Sequence, residues 1–116
     1  MITINNIEEM KKYYDKQTNT YVFYDDVKFN IDIEVESNIN AYDIYAYDIY
    51  ACDINARDIN VRDINAWDIN AYNIKALDIN YFAYCIAYYI FKCKSANSER
   101  VNSVHKCLDG KIEYIK

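Results

Sequence analysis

Seven aspartates recur at multiples of five along the middle of this 116-residue chain: Asp43, Asp48, Asp53, Asp58, Asp63, Asp68 and, after Asn73, Asp78. Carboxylates set so regularly are material for acid–base catalysis if burial and mutual repulsion push their pKa values apart. The plainer reading is that they face outward, bond backbone amides and stay solvated, and that reading is preferred. His105 is the only histidine, so imidazole acid–base chemistry has one candidate and no evident orienting partner. Cys85, Cys93, His105 and Cys107 offer soft donors, but no C-x-x-C spacing organises them into a zinc set. There is no phosphate-cradling glycine loop and no nucleophile motif. The sequence therefore points away from an enzyme: no catalytic residue, metal or cofactor is expected, and the surface is expected to do the work.

A five-residue repeat must position those aspartates. From Ala41 the chain reads AYDIY AYDIY ACDIN ARDIN VRDIN AWDIN AYNIK ALDIN, with isoleucine at 44, 49, 54, 59, 64, 69, 74 and 79. On an α-helix, residues five apart drift by roughly 140° per step, so no apolar stripe forms. In a flat strand an odd period puts successive isoleucines on opposite faces. If each pentad is a short extended piece followed by a bend, every isoleucine reaches a common axis while the chain winds around it. Four such sides would close a square coil of about 20 residues, the shape of a stacked solenoid.

The Asp-Ile pairs, from Asp43-Ile44 to Asp78-Ile79 with Asn73-Ile74 among them, resemble those of the pentapeptide-repeat proteins. That resemblance covers about a third of the chain and implies a quadrilateral β-helix. In the family the small residue stands two places before the large one. Here Ala46, Ala51, Ala56, Val61, Ala66, Ala71 and Ala76 stand two places after an isoleucine, while Tyr42, Tyr47, Cys52, Arg57, Arg62, Trp67, Tyr72 and Leu77 hold the residue before each Asp or Asn. Isoleucine and the following alanine are therefore expected inside, with Asn or Tyr between them facing out.

The fold expected is all-β: a short β-solenoid forming one domain, with a cap at each end. Residues 1–35 form the N-terminal cap, 36–80 the repeat and 81–116 C-terminal strands and a hairpin. Asn6 before IEEMKKYY reads as a capped short helix, and KFNIDIEVE alternates as a strand with Phe29, Ile31, Ile33 and Val35 on one face. The aromatic segment 81–91 closes the far end, and Asp109-Gly110 signals a two-residue hairpin. With one glycine and no proline, Asn55, Asn60, Asn65, Asn70 and Asn80 are the residues to look for near corners, because asparagine tolerates positive φ. A hydrophobic content of 53% argues against disorder.

A coil of about 20 residues would stack Asp43 on Asp63, Asp48 on Asp68, Asp58 on Asp78 and Asp53 on Asn73. It would also stack Tyr47 on Trp67 and put Arg62 over the Tyr42 ring. Charge divides unequally: residues 1–90 carry seven basic and fifteen acidic side chains, and residues 91–116 carry six basic and three acidic. An acidic solenoid repels phosphate and suits a basic groove. Acidic rods of the pentapeptide-repeat family resemble duplex DNA and occupy enzymes such as gyrase. The order of cap, pentads, aromatic strand and KCKS segment also resembles small proteins of phages and mobile elements from AT-rich bacteria.

The function expected is therefore a non-enzymatic, phage-type inhibitor of a host nucleic-acid or defence enzyme, anti-CRISPR-like, in the bacterial cytoplasm and without membrane contact. Asp43, Asp48, Asp58, Asp63, Asp68 and Asp78, with Tyr47, Trp67 and Tyr72, would meet the partner. Two alternatives remain open. One is an assembly module, such as a homodimer, joined through Tyr81, Phe82, Tyr84, Tyr88 and Phe91. The other is a nucleic-acid binder using Lys92, Lys94, Arg100 and Lys106.

Overall fold

A chain with isoleucine at every fifth place buries the whole row only by winding, and it winds. The computed structural model describes residues 1–98 and 100–115, and they form a parallel β-solenoid of about five turns. Ile39, Ile54 and Ile69 stack on a first side, Ile44, Ile59 and Ile74 on a second, and Ile49, Ile64 and Ile79 on a third. All nine are at most 2% exposed. Ala51, Val61, Ala66, Ala71 and Ala76 are buried beside them, so the inward pair is isoleucine and the small residue two places on.

The coil is a triangle, not the expected square. Neighbouring turns are separated by 15 residues, as in the Asn55–Asn40 pair. Any multiple of five stacks isoleucine on isoleucine, so the repeat leaves the number of sides open. Three isoleucines and three small residues per turn fill a three-sided interior. That interior is closely filled, as a core must be.

The winding begins before the pentads. Strand β1 (Ile2–Ile4) pairs with β4 (Val27–Phe29), and β2 (Tyr14–Asp15) pairs antiparallel with β3 (Thr20–Val22). Strand β5 (Ile33–Glu34) leads into β6 (Asn38–Asn40), β7 (Asp43–Tyr45), β8 (Asp48–Tyr50), β9 (Asp53–Asn60), β10 (Asp63–Lys75) and β11 (Asp78–Cys93). Three N-terminal strands sit directly under repeat strands: β4 on β7, β3 on β6 and β5 on β8. The parallel pairing thus reaches into the segment expected as a cap. KFNIDIEVE is not one strand, because it bends between β4 and β5 to pass from one side to the next; Phe29, Ile33 and Val35 are buried and Ile31 half-buried. The expected short helix is a 3-10 helix, Ile7–Tyr13. The Asn6 side chain accepts from the Glu9 N–H at 3.2 Å, and Met10 is buried beneath it.

The corners need no left-handed residues. Among the described residues only Asn19 has a positive φ, 51°, so the repeat asparagines do not serve as corner residues; Asn55, Asn60, Asn65, Asn70 and Asn80 lie in strands and are exposed. Each corner is instead tied to the turn below. The Tyr42 carbonyl accepts from the N–H groups of Arg57 and Asp58 at 2.6 and 3.3 Å, and the Tyr47 carbonyl from Arg62 and Asp63, both at 2.9 Å. Bonds between turns do what a local turn would otherwise do.

Toward the C-terminus the turns widen. Ile69 lies beside Cys85, Ile74 beside Phe91, and register shifts occur after Ala66 and Ala71. Strands β12 (Ser95–Asn97), β13 (Val104–Cys107) and β14 (Ile112–Tyr114) all pair parallel with β11. The expected C-terminal hairpin is therefore absent from the described residues. Asp109-Gly110 turns a corner between β13 and β14, with the Asp109 N–H donating to the Tyr88 carbonyl at 2.8 Å. The hairpin signal is overridden because both strands find a better partner in the turn already formed.

Candidate functional site

With three sides, the aspartates fall into three separate columns. Asp48, Asp63 and Asp78 stand in register on the third side, Asp43 and Asp58 with Asn73 on the second, and Asp53 and Asp68 on the first. The stacks expected for a square coil (Asp43 on Asp63, Asp48 on Asp68, Asp58 on Asp78, Asp53 on Asn73) are replaced accordingly. The corners change in the same way. Arg57, not Arg62, lies over Tyr42, 4.8 Å from the ring centroid; Arg62 covers Tyr47 at 5.5 Å; and Trp67 meets Phe82, not Tyr47, with centroids 5.4 Å apart. Tyr72 packs against Tyr88 and Tyr89.

The three columns differ in electrostatic state. On the second side, burial first and then the Asp58 and Asp26 charges push the Asp43 pKa up, with Arg57 opposing. Asp43 Oδ1 is buried without a hydrogen bond. One step up the column, Asn73 Nδ2 donates to Asp58 Oδ1 at 2.7 Å. On the first side, burial and then Asp68 raise the Asp53 pKa, while Asp68 accepts from the Tyr84 N–H at 3.3 Å. The third side is the open one. Asp48 holds Arg62 through two guanidinium nitrogens at 3.0 to 3.2 Å, Asp78 accepts from the Ser95 hydroxyl at 2.8 Å, and Asp32 and Glu34 join Asp48, Asp63 and Asp78 along a groove of about 490 Å³.

The second-side pair yields a stability prediction with a definite sign. A carboxyl whose folded pKa is raised favours the fold only while protonated, so its contribution is lost as pH rises through that value. At neutral pH the Asp43–Asp58 pair is thus a cost. Asp58→Asn removes one charge and supplies an amide to Asp43 Oδ1, as Asn73 does for Asp58. Urea unfolding should show a gain of about 1 kcal/mol at neutral pH that shrinks as pH falls into the carboxylate range. A variant no more stable than the parent at neutral pH would refute this.

Of the residues expected at an oligomer interface, Tyr81 (5% exposed) and Phe91 (0%) are core residues and unavailable to a partner. They lie on the inward positions, where wider turns make room for larger side chains. Phe82 and Tyr88 are exposed and Tyr84 is half-buried, but all three lie on a turn already covered by β12, β13 and β14, not at an open end.

No family model, no curated protein and no solved structure matches this chain.

Cys85 and Cys93 are buried in the core. Burial pushes Cys85 far up, and burial with the Asp78 charge raises Cys93, which makes both inert. His105, which has no evident partner along the chain, has tyrosines at both ring nitrogens: the Tyr81 hydroxyl at Nδ1 and the Tyr114 hydroxyl at Nε2, 3.5 Å away. Among the described residues no His, Cys, Asp and Glu side chains cluster as a metal site would need, and no helix is long and apolar enough to cross a membrane.

Sequence reasoning missed Asp32 and Glu34 as members of the acidic groove. The alternation around Ile33 marks them as outward-facing. Only the β5–β8 pairing, with Ile33 beside Ile49, puts them in line with the repeat.

Proposed function

We propose that the protein is a non-catalytic binding module that offers its third side to a basic groove on a nucleic-acid-handling protein and blocks it. The observation that carries this reading is the one-sided acidic groove: Asp32, Glu34, Asp48, Asp63 and Asp78 on a single face, with Arg62 as the cation paired there. The in-line carboxylates repeat at about 4.8 Å, the separation of neighbouring strands. A row of negative charge on a rigid face is complementary to surfaces evolved to hold phosphate. The net charge of −5 agrees. The resemblance to pentapeptide-repeat proteins, among which acidic rods occupy gyrase-like enzymes, and to small phage and mobile-element proteins extends the proposal: the partner is a bacterial host or defence enzyme, and the action is anti-CRISPR-like steric blockade.

Partner contact then belongs to Asp63 and Asp78 with Tyr47 at the adjoining corner, while Asp43, Asp58 and Asp68 face other sides. Affinity capture from bacterial lysate, comparing the parent with the Asp63→Asn/Asp78→Asn variant, tests this. A basic nucleic-acid enzyme should be retained by the parent, released by added salt and held at least about tenfold more weakly by the variant. Equal retention by both would remove the charge mechanism.

A further inference from the structure

A second groove, of about 520 Å³, is lined by no charged side chain among the described residues, although 27% of the chain is charged. It runs along the solenoid axis beside the corner that carries Trp67 and Phe82, and it shares Tyr50, Asn65 and Asn80 with the acidic groove next to it. Tyr50, Asn65, Asn80 and Asn97 form one wall, each in register with the next across β8, β10, β11 and β12. Trp67 and Phe82, 60% and 50% exposed, form the other.

We propose that this groove binds a neutral, hydroxyl-rich oligosaccharide in extended form, one sugar ring to each register position. Three features select that chemistry. The Trp67 ring, tilted 44° to that of Phe82 and more than half exposed, offers apolar surface to the C–H face of a pyranose, while the Arg100 guanidinium lies over the Phe82 ring, 5.6 Å from its centroid. Each asparagine amide is both donor and acceptor, as a hydroxyl is, and the three amides repeat at about the 4.8 Å strand spacing, comparable to the rise of one ring in an extended β-linked chain. Finally, Asp63 and Asp78 stand two residues before Asn65 and Asn80 on the same strands, about 7 Å away, where they repel sulfated, phosphorylated or carboxylated chains. A cationic ligand would find its charges in the neighbouring acidic groove instead. The Trp67 and Phe82 wall is no part of the acidic groove, so substitution there tests this site apart from the acidic face.

Trp67 is the only tryptophan, so its fluorescence reports directly on the groove. Titrating the full chain with cellohexaose, chitohexaose and mannohexaose should give a saturable change with at least one of them, at a Kd of about 1 mM or tighter. Affinity should rise with chain length up to about four rings, one per register position, and then level off. Trp67→Ala, followed by calorimetry, and Asn80→Ala each remove an exposed side chain and should weaken binding at least about tenfold with an unchanged circular dichroism spectrum. Absence of saturation with all three sugars, undiminished binding by folded Trp67→Ala, or equal affinity for a heparin hexasaccharide would each overturn the proposal.

Discussion

Ile64→Ala is expected to lower the free energy of unfolding by about 2–5 kcal/mol, and Ile64→Asn to abolish cooperative folding at room temperature. Ile64 is 1% exposed and sits between Ile49 and Ile79 in the third-side column. Truncation removes buried methyl groups and opens a cavity that neighbouring turns cannot close, because each is held by its own ladder of bonds. Asparagine adds a buried amide without partners, worth about another 1–3 kcal/mol, against a total stability of about 5–15 kcal/mol for a domain. Asn65→Ala, one residue along and exposed, should change stability by no more than about 0.5 kcal/mol. Urea unfolding followed by circular dichroism measures all three. An Ile64→Ala cost under about 1 kcal/mol would mean that the isoleucine column does not carry the fold.

Removing residues 48–62 should leave a folded protein with one turn fewer, whereas removing Asn65 alone should unfold it. The 15-residue deletion joins Tyr47 to Asp63, which already lies directly above Asp48, so every later residue keeps its side and its corner. Stability then falls by one turn and one interface between turns, and the urea dependence becomes shallower as less surface is exposed on unfolding. Deleting one residue instead rotates the following isoleucines out of the core and brings Asn70, Lys75 and Asn80 into their places, as a slip of one residue does in any strand. A single-residue deletion that still melts cooperatively near the parental midpoint would contradict a coil held in register by its isoleucine columns.

The inward set is legible in the sequence because it depends only on period. Every fifth residue is isoleucine, no helix or flat strand can bury such a row, and winding is the remaining solution. The helix cap at Asn6 is equally legible, since capping is a matter of neighbours in the chain. Local signals fail where a preformed turn competes with them. Asp109-Gly110 has the chemistry of a hairpin, yet β13 and β14 both pair with β11. KFNIDIEVE alternates, yet it bends to serve two sides. Asn55 through Asn80 have the chemistry of corner residues, yet the corners are held by bonds from the turn above.

The candidate sites are legible as residue types but not as neighbours. Asp48, Asp63 and Asp78 read as outward carboxylates in the sequence. That they share a face with Asp32 and Glu34, while Asp43 and Asp58 face elsewhere, follows from three sides rather than four. The pairing of Arg57 with Tyr42 and of Trp67 with Phe82 has the same origin. The sequence by itself determined that the chain coils, which residues point inward, and that the outer surface repeats in Asp, Asn and aromatic residues. Only the tertiary structure decided how many residues make a turn, because coils of 15 and 20 residues both place isoleucine on isoleucine. What separates them is how well the side chains of one whole turn fill the space at the axis, a property that no stretch of five residues contains.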